Sequence, residues 1–257
     1  MNRRDFLGGL GAVGLASFAG CADSVSGATG PPNVPEQRLH EGGWERFAAD
    51  TQQLFEQSIG PVTVTGTANT VQYEDAALRE RLEADTLGSV SSTVALFSAT
   101  RVVTDPSLGS LPGGVGVSQL LDVVEDRAKS QFRNEMENQG LKNPKAVGEF
   151  ELEVETGETA RGTEFEAEFP VPPMSFDLPN GEQLTIEGAE LEIEGQLAVW
   201  EHANSVLVAG GAYPGENYTR ALQRNVTDAV TVGVDVDLEL EPKSYAQEVR
   251  SLVTRVE

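Results

Sequence analysis

Four stretches in the second half of this chain alternate acidic and apolar residues with a strict period of two. Glu149, Glu151, Glu153 and Glu155 alternate with Phe150, Leu152 and Val154, and Glu164, Glu166 and Glu168 with Phe165, Ala167 and Phe169. Glu190, Glu192 and Glu194 alternate with Leu191 and Ile193; Asp235, Asp237, Glu239 and Glu241 alternate with Val234, Val236, Leu238 and Leu240. A period of two belongs to a β-strand, so carboxylates line one face of an antiparallel sheet and apolar groups the other. Like charges directly opposite each other on neighbouring strands are destabilising, so several such strands in one sheet depend on ionic screening. The expectation is a hydrated solvent face. A divalent-cation surface is the alternative, although the tight Asp/Asn/Gly loop of calcium sites is missing from the sequence.

The same acids dominate the whole chain. Its 257 residues hold 18 Lys and Arg against 41 Asp and Glu, a formal net charge of −23. Binding to nucleic acid or to a bare anionic membrane relies on Lys and Arg, so both are excluded as expectations. Of the bases 14 are Arg and only 4 are Lys (129, 142, 145, 243). At this charge a compact monomer repels itself in dilute buffer, whereas at about 1 M salt the Debye length falls to roughly 3 Å. The composition fits a protein working in multimolar salt. A single cysteine rules out a disulfide scaffold and a thiolate metal cluster within one chain, and two histidines leave little for a histidine site. No metal or cofactor is expected.

The N-terminus reads as an address. Arg3-Arg4-Asp5-Phe6-Leu7 resembles the twin-arginine export motif, with Arg3, Arg4, Phe6 and Leu7 as its recognised residues. The apolar, glycine-rich run from Phe6 to Ala19 is shorter than the ~20 residues a spanning helix needs and suits a signal h-region. Phe18-Ala19-Gly20-Cys21 resembles a lipobox, in which the cysteine is lipidated and becomes the new N-terminus. Residues 1–20 are therefore expected to be a signal peptide, and Cys21 the point of attachment to membrane lipid. Residues 21–35 form a lipidated cysteine and a Gly/Pro-rich flexible stalk. A single domain follows over 36–257. Two acyl chains on one cysteine anchor stably where one binds only marginally.

Within the domain the pattern predicts a hairpin over 43–73 turning at Gly60-Pro61, and a helix over 75–87 starting at Asp75 and ending at Gly88. A buried strand is expected over 92–103. The best helix, about 118–139, places Leu121, Val124, Ala128, Phe132 and Met136 on one face, with Gly140 as its stop. A turn at Ala203-Asn204 separates two strands. A helix over 218–229 carries Tyr218, Ala221, Leu222, Val226 and Ala229 on its apolar side, and a last helix spans about 243–255. The fold class is α+β: an antiparallel sheet with helices packed on its apolar face.

No stretch of the sequence spells out an active site. The Gly-rich loops 108–116 and 210–215 precede expected helices, but neither has a P-loop ending or a GxGxxG pattern. GxSxG and HExxH are absent, and His40 and His202 stand in unrelated contexts, His202 at a hairpin end. Asn217-Tyr-Thr and Asn225-Val-Thr are glycosylation sequons, which makes Asn217 and Asn225 candidate acceptors on an exported protein. Trp44, Phe47, Phe55 and Tyr73 are core residues by default and groove-lining residues by alternative. With 41 acids, carboxylate pairs at hydrolytic spacing arise by chance.

The export motif, the lipobox and the acidic mature chain together resemble haloarchaeal lipoproteins exported by the twin-arginine route. Val71–Asp75, Leu96–Arg101, Leu197–Trp200 and Gly210–Pro214 resemble an uncharacterised domain family among those lipoproteins. The closing order of strand, Tyr-Pro turn and helix is also faintly similar to the PsbP/Mog1-like sandwich. These resemblances imply a lipid-anchored protein on the extracellular face of the cell membrane and bring no known activity with them. The expected function is a non-catalytic binding or envelope-interaction module; the alternative is an extracellular hydrolase using a Glu/Asp carboxylate pair.

Overall fold

The computed structural model describes residues 30–59, 62–110, 115–178, 181–227 and 230–257. The export residues Arg3, Arg4, Phe6 and Leu7, the lipobox Cys21 and the Gly60-Pro61 turn lie outside the described residues. In chain order the elements are α1 (Glu36–Glu41), β1 (Trp44–Ile59), β2 (Val62–Asp75), α2 (Ala76–Asp85), β3 (Leu96–Asp105) and α3 (Val115–Asn138). There follow β4 (Lys142–Glu153), β5 (Thr159–Val171), β6 (Met174–Asp177), β7 (Gln183–Ile186), β8 (Ala189–His202), β9 (Ser205–Pro214), β10 (Thr219–Thr227), β11 (Val230–Asp237) and α4 (Pro242–Val253). Seven strands form one antiparallel sheet in the order β1-β2-β3-β9-β8-β5-β4. The hairpins β6–β7 and β10–β11 stand as separate two-stranded ribbons.

Local chemistry sets the boundaries. Asp75 caps α2, its Oδ1 accepting from the Leu78 amide at 2.8 Å. After α3 the chain turns at Gly140 with φ +87°, and the Leu141 amide donates back to the Met136 carbonyl. That reversed bond needs a left-handed residue, which glycine adopts without strain. Pro242 opens α4 in the first turn, where its missing N–H costs nothing. At the β8–β9 turn Ala203 and Asn204 both have positive φ, as a two-residue hairpin demands.

Helices pack on both faces of the sheet. A Cβ placed on Gly195 of β8 would meet Phe132 of α3 at 2.9 Å, while one on Gly211 of β9 would meet Val249 of α4 at 2.9 Å. Gly211 is paired with Gln196, the residue next to Gly195, so the two glycines point to opposite faces. On one face α3 crosses β4, β8 and β9, burying Leu120, Val124 and Met136 and setting Phe132 against Phe165 at 5.0 Å between ring centres. On the other, Val249, Leu252 and Val253 of α4 are wholly buried.

The α4 face also receives the chain's first described residues. Arg101 of β3 is 7% exposed and donates to the Gly30 and Pro31 carbonyls at 3.3 and 3.0 Å and to the Glu257 backbone oxygen at 2.8 Å. Asn33 and Glu257 exchange backbone bonds in both directions. Gly30–Val34, within the expected stalk, is thereby strapped to the sheet.

The expected helix over 218–229 is a correction. This segment is β10, paired with β11 from Thr219↔Asp237 to Thr227↔Val230. Its apolar spacing suited a helix, but the β-branched run that follows, with Val230, Val232, Val234 and Val236, supplies a partner strand, and pairing overrides a short periodicity. The strand, turn and helix order that suggested a PsbP/Mog1-like sandwich is therefore a strand, turn and strand. Pro214-Gly215 likewise leads into a strand, so the 210–215 loop has no helix amides to offer an anion.

Candidate functional site

The α3 face of the sheet is unevenly covered. Helix α3 packs over the β4, β8 and β9 side, leaving a groove between its flank and the β1–β2–β3 side. Phe47 and Leu54 from β1 and Val124, Ala128, Phe132 and Met136 from α3 wall it. Its floor carries Thr70, Gln72, Ser98 and Thr100, with the Thr70 and Thr100 hydroxyls 2.8 Å apart. The recess encloses about 70 Å³, half or less of the ~150 Å³ at which an apolar cavity takes up benzene. It is shallow and narrow.

Two β-bulges build its outer wall. The β1–β2 register shifts between Arg46 and Ala48 and again between Gln53 and Phe55, leaving Phe47 and Leu54 as the extra residues. A bulge re-aims the side chain it adds, and here both added side chains are apolar and line the groove. Phe47 remains 45% exposed. Of the four aromatic residues considered from sequence, it alone lines this groove. Trp44, Tyr73 and Phe55 are buried, the first two set edge-on and tilted against Phe97 with ring centres at 6.5 and 6.2 Å. Periodicity could not single out Phe47, because a bulge breaks the alternation that sequence reading relies on.

Carboxylates near one another occur elsewhere, each already engaged. Glu248 accepts from the Trp44 indole N–H at 3.1 Å, and Asp75 accepts from the Tyr245 hydroxyl at 2.6 Å while capping α2. Burial pushes the Glu248 carboxyl up, with the Asp75 charge adding to it. At the far end of the sheet His202 Nδ1 lies 2.8 Å from Glu158 Oε1. The Thr156 hydroxyl and the His202 ring hold the Glu158 carboxyl below the usual carboxylate range. His202 occupies the hairpin end expected of it, half-buried by this pairing. No nucleophile completes the pair among the hydrogen bonds of its described neighbours.

The alternating glutamates of β4, β5 and β8 fall where the period of two puts them, whereas Glu239 and Glu241 lie beyond the end of β11, each with positive φ. In β5 and β8, Glu166 is directly opposite Glu194 and Glu168 opposite Glu192. Lys145 approaches Glu166 at 3.1 Å and Asn143 donates to Glu168 at 2.8 Å. Burial and the neighbouring Glu192 push the Glu194 carboxyl up. Among the described residues no group of three or more His, Cys, Asp or Glu side chains is arranged to hold a metal ion. The sequon residue Asn217 braces the β10–β11 ribbon, donating to Asp237 at 2.8 Å and accepting from the Leu240 amide at 2.9 Å. Asn225 falls in β10, its side chain outside the described residues.

A family model described as Domain of unknown function (DUF6517) matches residues 31–257. The chain belongs to this family. No curated protein and no solved structure matches it. The DUF6517 match begins at the strapped residues Pro31–Val34 and takes in the sheet, its helices and both ribbons. Among the described residues of this DUF6517 chain, no helix is long and apolar enough to cross a membrane.

Proposed function

We propose that this DUF6517 chain is a lipid-anchored, extracytoplasmic binding module that works in high salt and performs no chemistry. On this reading Arg3, Arg4, Phe6 and Leu7 direct export by the twin-arginine route, and Cys21 carries the lipid that holds the protein at the outer face of a haloarchaeal membrane. The observation that supports binding over hydrolysis is the groove itself: it is shallow and mostly apolar, and Glu135 is the one carboxylate lining it. A hydrolase of the Glu/Asp-pair type needs two carboxyl groups flanking a substrate. Asp75 and Glu248, which are close enough to feel each other's charge, are spent on α2, Tyr245 and Trp44.

The strap supports a particular presentation. Arg101 points away from the face on which Thr100 and Val102 line the groove, because successive strand residues face opposite sides. Gly30 is nine residue steps beyond Cys21, a reach of at most ~32 Å when fully extended. A tether entering on the α4 face leaves the groove open on the other. Replacing the anchor tests the reading: Cys21→Ser is expected to move the protein from the membrane pellet to the soluble or secreted fraction in high salt. A variant that stays in the pellet would mean that the anchor is elsewhere.

A further inference from the structure

The groove's chemistry narrows what it can hold, granted that it is the binding site. The groove is only partly enclosed and mostly apolar, so an extended aliphatic chain can lie along its walls. The walls to receive it are apolar: Leu54, Val124, Ala128 and Met136.

The charges at the groove are all of one sign. Among its lining residues Glu135 of α3 is the single charged group, half-buried and touched by the Gln139 amide at 2.9 Å. Asp50 of β1 is register partner to Thr70 of the floor, and so stands on the groove's own face at its rim. No Lys or Arg lines the groove. An anionic head would meet two carboxylates and no counter-charge, in a protein of net charge −23. A cationic head would gain a charge-assisted contact with Glu135. The remaining polar groups, Gln72, Ser98, Gln131 and the Thr70–Thr100 pair, can satisfy hydrogen bonds without adding charge.

We propose that the groove binds a slender aliphatic chain bearing a positively charged head, the chain lying between the two bulged residues of β1 and the flank of α3 and the head at Glu135. An alkylammonium compound is the simplest member of that class.

Three six-carbon probes that differ only in the head separate the parts of this assignment: hexylammonium, hexanol and hexanoate. Binding to the full chain in 2 M KCl would be followed by ligand-observed NMR or calorimetry. Hexylammonium is expected to bind roughly tenfold tighter than hexanoate, the scale of one charge-assisted contact. Glu135→Gln should remove that preference and leave hexanol unchanged. Ala128→Phe, which fills the recess, should abolish binding of all three while the circular dichroism stays native. Equal binding of hexylammonium and hexanoate would overturn the cationic-head assignment and leave the groove as a binding site. If Ala128→Phe altered none of the three, or none bound at all, the groove itself would fall, and the binding reading with it. Glu135→Gln is isosteric on a helix surface, so the charge arm stands even if Ala128→Phe does not fold.

Discussion

The two ends of the seven-stranded sheet solve different problems with the same backbone. On the β5–β8 side, side chains on the α3 face are sealed by Phe132 against Phe165, while the other face carries opposed glutamates at Glu166↔Glu194 and Glu168↔Glu192. On the β1–β2–β3 side, the α3 face is left partly open, and its opposed groups are the neutral hydroxyls of Thr70 and Thr100. One end opposes two pairs of glutamates and is tightly packed; the other opposes a single pair, Glu45 and Glu74, and is loosely packed. The contrast teaches that the alternating rows of acids, though the loudest signal in the chain, stand away from the groove, whose lining residues include one charged group, Glu135. The groove is marked instead by what it lacks: a covering helix and any base.

The largest effect expected from this contrast is in packing. Phe165 is 1% exposed beneath α3, and Phe165→Ala should cost about 3–5 kcal/mol, the range for emptying a well-packed aromatic site. Leu54 is only partly buried at the groove's wall, so Leu54→Ala should cost roughly 1 kcal/mol, because less apolar area returns to water. Urea unfolding of both variants in 2 M KCl measures the difference. Equal losses would mean that the β1–β3 end is as tightly packed as the other, and would remove the basis for calling it a groove.

A smaller effect separates the ends electrostatically. Opposed like charges on neighbouring strands cost up to about 1 kcal/mol per pair in dilute solution, and screening removes most of that near 1 M salt. The double variant Glu192→Gln/Glu194→Gln should therefore be more stable than the parent at 0.3 M KCl by about 1–2 kcal/mol. At 3 M KCl it should gain little. Asp50→Asn, on the sparsely charged β1–β3 end, should gain little at either salt. Circular dichroism of the parent from 3 M down to 0.1 M KCl should report loss of structure at the dilute end. Full retention there would contradict the salt adaptation inferred from the composition.

What could be read in advance tracks how far each feature depends on its own neighbours in the chain. The Glu164–Phe169 alternation, the Asp75 cap and the Gly140 stop are local, and the structure has them where the sequence puts them. The segment 218–229 misled because a helical spacing over twelve residues is weak beside the pairing offered by Val230–Val236, which the sequence does not announce as a partner. The groove was harder still. Phe47 and Leu54 reach it only because two bulges interrupt β1, and a bulge is a property of the β1–β2 pair rather than of β1. Arg101 was equally silent: a lone arginine in an apolar strand gives no hint that it will clasp both ends of the domain.

The smallest expected effect lies within the charged end, where two glutamates should respond to pH in opposite directions. Burial and the neighbouring Glu192, Glu164 and Glu166 push the Glu194 carboxyl up, with the Tyr213 hydroxyl partly offsetting them. A carboxyl whose folded pKa is raised favours folding at low pH, and that contribution is lost as pH rises through the folded value. Glu194→Gln should then stabilise the protein more at pH 7 than at pH 4. Glu158 is held down by Thr156 and His202, so its contribution is present above the unfolded value and lost as pH falls through the folded one. Glu158→Gln should weaken the protein at pH 7 and lose that effect toward acid. Thermal midpoints of the two variants relative to the parent, taken at pH 4, 5.5 and 7 in 2 M KCl, measure both. If the two differences ran in the same direction with pH, the Glu194 carboxyl would not be strained by its strand neighbours, and the case that the carboxylate rows depend on screening would rest on composition alone.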